Sequence, residues 1–137
     1  MILVDTNVWS ELTKDPADPT VVKWLQTHES ELLLSPIVLA EIRIGVEGIP
    51  VGEKRERLDE WCAQLEEDYG PRTLDFETRA AHAFGRLVVQ RKLQKQDTKM
   101  FDLLIAAQAL AFDLPVATRN TRDFVWTGAR LIDPWSP

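Results

Sequence analysis

Short apolar runs alternate with longer amphipathic ones along this chain, and the alternation predicts a βα order. "ILVD" (2–5) reads as a first strand, and Val8, Trp9 and Leu12 begin a helical pattern directly after it. "DPTVVKWLQTH" (18–28) reads as a helix capped by Asp18, with Pro19 in the first helical position. "ELLLS" (31–35) predicts a second strand. "SPIVLAEIRIGVEG" (35–48) then repeats the cap signal with Ser35 and Pro36. In "EKRERLDEWCAQLEEDYGP" (53–71), Leu58, Trp61, Cys62 and Leu65 fall at helical spacing, and Gly70-Pro71 ends the element. "RTLDF" (72–76) predicts a weak strand. Asp75 is then the expected cap of a helix from Phe76 that buries Ala80, Phe84, Leu87 and Val88. "MFDLLIAAQALAF" (100–112) is apolar almost all round, so a central helix is expected there, with Asp97 or Thr98 as its cap. "LPVAT" (114–118) and "ARLIDP" (129–134) complete the strands. The whole predicts an α/β fold with a parallel sheet of about four to five strands flanked by helices, as one domain over residues 1–137.

Four carboxylates stand where the pattern does not explain them. Asp5 ends the first strand, at the carboxyl edge where open α/β sheets bind ligands. Its simplest role is to cap the helix that follows. Glu41 lies on the side of its helix opposite Arg43 and Glu47, which can pair in solvent. Asp102 shares an apolar face with Ile105, Ala106 and Ala109, where an unpaired carboxylate is costly. Asp123 follows "VATRNTRD", just beyond the strongest late strand, where an acid is ordinarily a turn residue. Four acids from distant segments, with no histidine or cysteine among them, suit a hard cation held by oxygen, Mg²⁺ or Mn²⁺. Such a site can activate water for phosphoryl transfer.

Composition narrows the choice. Cys62 is the only cysteine, so no internal disulfide can form, and a reducing cytoplasm is expected. His28 and His82 make no zinc-type spacing. No signal-peptide pattern and no apolar run long enough to span a bilayer is present. The net charge of −6 argues against general high-affinity nucleic-acid binding, yet a cluster of metal-binding acids contributes to that charge. Against it stands "QRKLQKQDTK" (90–99), whose Arg91, Lys92, Lys95 and Lys99 form either a solvated helix end or a patch that steers RNA. Of the five tryptophans, Trp24 and Trp61 lie on amphipathic helices, where they could line a groove for a partner helix.

Four stretches in this order, "ILVDTNVWSEL", "SPIVLAEIRIG", "FDLLIAAQAL" and "VATRNTRDF" with "IDPW", resemble the PIN-domain nucleases over nearly the whole chain. Within them the chain resembles the VapC-type toxins of bacterial toxin–antitoxin pairs. The resemblance implies an Mg²⁺-dependent endoribonuclease with Asp5, Glu41 and Asp102 at three of the family's acidic positions, Asp5 and Asp102 being the principal metal ligands. It also implies a homodimer or a heteromeric complex with a small antitoxin, which supplies the operator-DNA binding that this chain has no arm for. Many relatives carry the fourth acid directly after the strand, where this chain has Asn120. Others carry it three residues on, at Asp123, which is the expected fourth acid of this chain. Glu41 and Asp123 are expected to orient water or bind a second ion, with Thr6 and Asn120 as hydrogen-bonding supports. Two alternatives remain: an aspartate-nucleophile phosphatase, whose second acid would fall on Asn7, and a catalytically degenerate PIN scaffold that only binds RNA or protein.

Overall fold

The computed structural model describes residues 1–137. Four short parallel strands form the sheet: β1 (Ile2–Val4), β2 (Leu32–Leu33), β3 (Val116–Ala117) and β4 (Leu131–Ile132), in the order β2-β1-β3-β4. The helices are α1 (Thr6–Glu11), α2 (Pro19–Thr27), α3 (Pro36–Glu47), α4 (Glu53–Tyr69), α5 (Thr78–Leu93), α6 (Met100–Ala111) and the single turn α7 (Thr121–Phe124). This is a PIN-like α/β domain. Its strand order reverses at β1, because the chain leaves β1 for β2 on one side and later places β3 on the other. The crevice at the carboxyl ends of β1 and β3 is therefore the topological switch point.

A core of 25 buried residues holds this arrangement. Ile2, Leu3 and Val4 are all buried, as are Val116 and Ala117, because helices cover both faces of the central strands. Helix α6 buries seven of its residues, Asp102 and Gln108 among them. The Gln108 amide is satisfied: Nε2 donates to the Leu74 carbonyl at 2.8 Å and Oε1 accepts from the Ser35 hydroxyl.

Local start signals hold where the cap chemistry is local. The Asp18 carboxylate accepts from Thr20 N at 2.9 Å, and the Ser35 hydroxyl accepts from Ile37 N at 3.1 Å. Three expectations are corrected. "RTLDF" contributes one isolated bridge, Leu34 to Thr73, and no strand, so the sheet has four strands. Helix α5 begins at Thr78 behind Glu77, two residues later than expected, and Asp75 does not cap it. Helix α6 begins behind Lys99 without a side-chain cap, because the Thr98 hydroxyl is engaged elsewhere. On α5 the buried residues are Ala80, Ala83 and Leu87, with Phe84 and Val88 half-buried against the core. No helix is long and apolar enough to cross a membrane.

Candidate metal centre

Asp5 leaves β1 and becomes the N-cap of α1, so one residue both ends the strand and starts the helix. Its backbone N donates to the Ala117 carbonyl at 2.9 Å, which locks it against β3. Both carboxylate oxygens are occupied. Oδ1 accepts from Thr6 N at 2.8 Å, and Oδ2 accepts from the Thr118 hydroxyl at 2.8 Å. Capping is thus true of Asp5 and does not exhaust it. A carboxylate offers about four lone-pair positions, and these two bonds use two of them.

Thr118 stands across the switch point from Asp5 and is fully buried. Its hydroxyl gives its proton to Asp5 and accepts from Asn120 N at 3.0 Å. Asn7 joins the same layer: its Oδ1 accepts from Arg119 N at 3.2 Å. Neither Thr118 nor Asn7 was singled out as a site residue from sequence. The available signal was position, since Thr118 is the first polar residue after a strand that flanks β1.

Glu41 enters from α3, half-buried, and its Oε1 accepts from the Thr6 hydroxyl. Thr6 therefore ties the Asp5 turn to Glu41 through its backbone and side chain together. The helix-face argument holds: Arg43 turns to solvent and pairs with Glu47 at 3.6 Å and with Asp59. Glu41 also opens onto a cleft of about 300 Å³ that it shares with Thr6, Ser10, Gly45 and Trp61.

Asp102 comes from the first turn of α6 and is 7 % exposed; Asp5 is 2 % exposed. Burial pushes the Asp5 carboxyl up to about 6, against the pull of its bonds from Thr118 and Thr6, with the charge of Glu41 adding to the rise. Burial pushes Asp102 further, to about 7, followed by the negative charges of Asp5, Glu41 and Asp123; Lys99 pulls the other way. Asp123 thus bears on the Asp102 carboxyl through its charge. Asn120 does not bring its side chain. It is exposed, makes no side-chain cap for α7, and works through its backbone, whose carbonyl accepts from Asp123 N at 2.9 Å.

None of these four carboxylates is in an ion pair, whereas Glu11, also buried, pairs with Lys14 at 2.9 Å. No three acid, histidine or cysteine side chains are drawn close enough to cage an ion alone. Mg²⁺ suits such a centre, because it keeps several waters and takes one or two carboxylates together with substrate phosphate oxygens. Asp5 and Asp102, buried, oxygen-bearing and lacking a cation, are the pair that fits it.

The basic stretch divides in its roles. Arg91 donates to the Thr98 carbonyl at 2.9 Å and is structural; Lys92, Lys95 and Lys99 are exposed, and only Lys99 acts on Asp102. Trp24 is largely buried in the core, with its ring beside His28, and its edge lines an open cavity of about 500 Å³ with Thr20, Lys23, Thr27 and His28. Trp61 is half-buried and lines another, a cavity of about 280 Å³ shared with Leu12, Leu25, Tyr69 and Arg72.

A parallel β2-β1-β3-β4 sheet flanked by helices is a PIN-like fold. The family profile described as PIN domain matches residues 2–126, and the chain belongs to that family. It is 37% identical over 142 residues to the VapC ribonuclease Y4jK of Sinorhizobium fredii, with 100% of this chain and 99% of the relative covered. It is 34% identical over 140 residues to the toxin FitB of Neisseria gonorrhoeae, with 98% and 99% covered. The crystal structure of FitAcB from Neisseria gonorrhoeae has the same fold, with a TM-score of 0.90 at 32% identity and both chains covered in full.

Proposed function

We propose that the chain, acting as one PIN domain, is a divalent-metal-dependent endoribonuclease and the toxin of a toxin–antitoxin pair. The observation that carries this reading is two carboxylates, Asp5 at the carboxyl end of β1 and Asp102 in the first turn of α6, both buried and neither in an ion pair. Full-length similarity to a relative named VapC ribonuclease supports the reaction class, and similarity to the toxin FitB supports the biological role.

Asp5 and Asp102 would hold Mg²⁺, or Mn²⁺ in its place. The chemistry a bound ion supplies there is charge neutralisation at the scissile phosphate and acidification of water near neutral pH. Asp5 is kept in register by Thr118 and Thr6, so its free lone pairs point from a rigid strand end. Glu41, steadied by the Thr6 hydroxyl, would orient the attacking water or take its proton, and Asp123 would do the same or help with a second ion. Asn120 shapes the turn that presents Asp123. Exposed Lys92, Lys95 and Lys99 offset the acidic cleft toward an RNA backbone.

The partner is a small antitoxin. An acidic site rimmed by apolar residues is a receptor for a segment that carries Arg or Lys beside hydrophobic anchors, and such a segment shuts off the site by occupying it. Operator binding resides in that partner, and the toxin chain assembles with it as a homodimer or a mixed complex in the cytoplasm.

The test is cleavage-site mapping in total RNA with the purified protein. Discrete cuts are expected with Mg²⁺, none with excess EDTA, and full recovery when Mg²⁺ or Mn²⁺ is restored. Undiminished cleavage in EDTA would overturn the metal mechanism.

A further inference from the structure

Thr98 sits in the segment between α5 and α6 and is 3 % exposed, unlike its neighbours Asp97 and Lys99. Its hydroxyl donates to the Asp123 carbonyl at 2.8 Å and accepts from Trp126 Nε1 at 2.8 Å. Its own carbonyl accepts from Arg91 Nη1 at 2.9 Å. One side chain thus fastens the entrance of α6, which carries Asp102, to the residue Asp123 itself. A threonine hydroxyl has a single proton. By donating into one of its lone pairs, the Trp126 indole leaves that proton directed at Asp123.

The bond is made to the Asp123 backbone and leaves its carboxylate free. We propose that Thr98 is a positioning residue that holds Asp123 in range of Asp102, with Trp126 setting the direction of its hydroxyl. This deepens the ribonuclease reading and rests on it. Small displacements of catalytic groups cost large factors in rate, so a remote tether of this kind carries a kinetic signature.

The experiment compares Thr98→Ser, Thr98→Val and Trp126→Phe with the unmutated protein. Three quantities are read: kcat and KM on a single-stranded RNA oligonucleotide containing a site mapped in total RNA, Mn²⁺ affinity by electron paramagnetic resonance, and melting temperature. Thr98→Ser keeps the hydroxyl and should stay near parental values throughout. Thr98→Val should lower kcat about tenfold or more and weaken Mn²⁺ binding, with KM little changed. Trp126→Phe should lower kcat about threefold, and adding it to Thr98→Val should cost little more, because the two act through one bond. A purely structural Thr98 would lower the melting temperature and leave kcat per folded molecule and Mn²⁺ affinity at parental values. That result in Thr98→Val overturns the proposal; if Thr98→Val does not fold, the same result in Trp126→Phe overturns it. Failure of the unmutated protein to bind Mn²⁺ or cut RNA overturns the ribonuclease reading itself and is distinct from either.

Discussion

Asp102→Asn is expected to abolish RNA cleavage and at the same time raise the melting temperature of the metal-free protein. The two effects share one cause. Asp102 is buried among like charges, and its carboxyl sits at about 7 instead of 3.8. Below about pH 4 it is protonated in both folded and unfolded chains and costs nothing. As pH rises, the unfolded chain releases this proton first while the folded chain retains it, so folding loses stability until about pH 7. Each unit of displacement is worth about 1.4 kcal/mol, and after allowance for relaxation the loss at pH 8 is on the order of 2 kcal/mol. Asparagine keeps the shape and removes the charge. The melting temperature at pH 8 should rise by on the order of 5 °C, with the gain shrinking toward pH 4. Cleavage should fall at least about a hundredfold, because a principal ligand is gone. Calorimetry in EDTA across this pH range checks the first effect, and initial rates in Mg²⁺ check the second. A lower melting temperature at pH 8 would assign Asp102 to the core.

Asp123→Asn should lower the cleavage rate at saturating Mg²⁺ by at least about tenfold, a loss of about 1.4 kcal/mol of transition-state stabilisation. Asn120→Ala should do less. Asn120 lies nearer β3 in the chain, but its side chain is exposed and its contribution is the backbone of the turn, which alanine retains. Asp123 lies in the one-turn helix α7, and its charge bears on the Asp102 carboxyl. Parallel rate measurements on the two variants decide the matter: an inactive Asn120→Ala beside a near-normal Asp123→Asn would exchange their roles.

The burial of Asp5 and Asp102 was legible because each breaks an apolar pattern, where a carboxylate is costly without a compensating partner. The caps Asp18 and Ser35 were legible because a cap bonds within its own turn. Thr98 was misread for the opposite reason. A Thr shortly before a helix has the local look of a cap, but its hydroxyl is captured by Asp123, 25 residues away. "RTLDF" resembled a strand because Leu74 and Phe76 are apolar; Leu74 instead packs against the core and bonds Leu34 and Gln108 through its backbone, leaving a single bridge at Thr73. Thr118 was legible as a residue at a strand's carboxyl end, but nothing in "LPVAT" reveals that its hydroxyl bonds Asp5. Strand order is a long-range property, and the hydrogen bond from Thr118 to Asp5 spans 113 residues.

Asp5 and Asp102 are expected to hold a divalent cation at the β1–β3 edge. Crystals of the protein soaked in Mn²⁺ and measured at the manganese absorption edge test it most directly. The expected result is an anomalous peak within about 2.3 Å of a carboxylate oxygen of Asp5 or Asp102, with the remaining coordination completed by water. Mn²⁺ bound only elsewhere, with both carboxylates bare at saturating metal, would contradict the account.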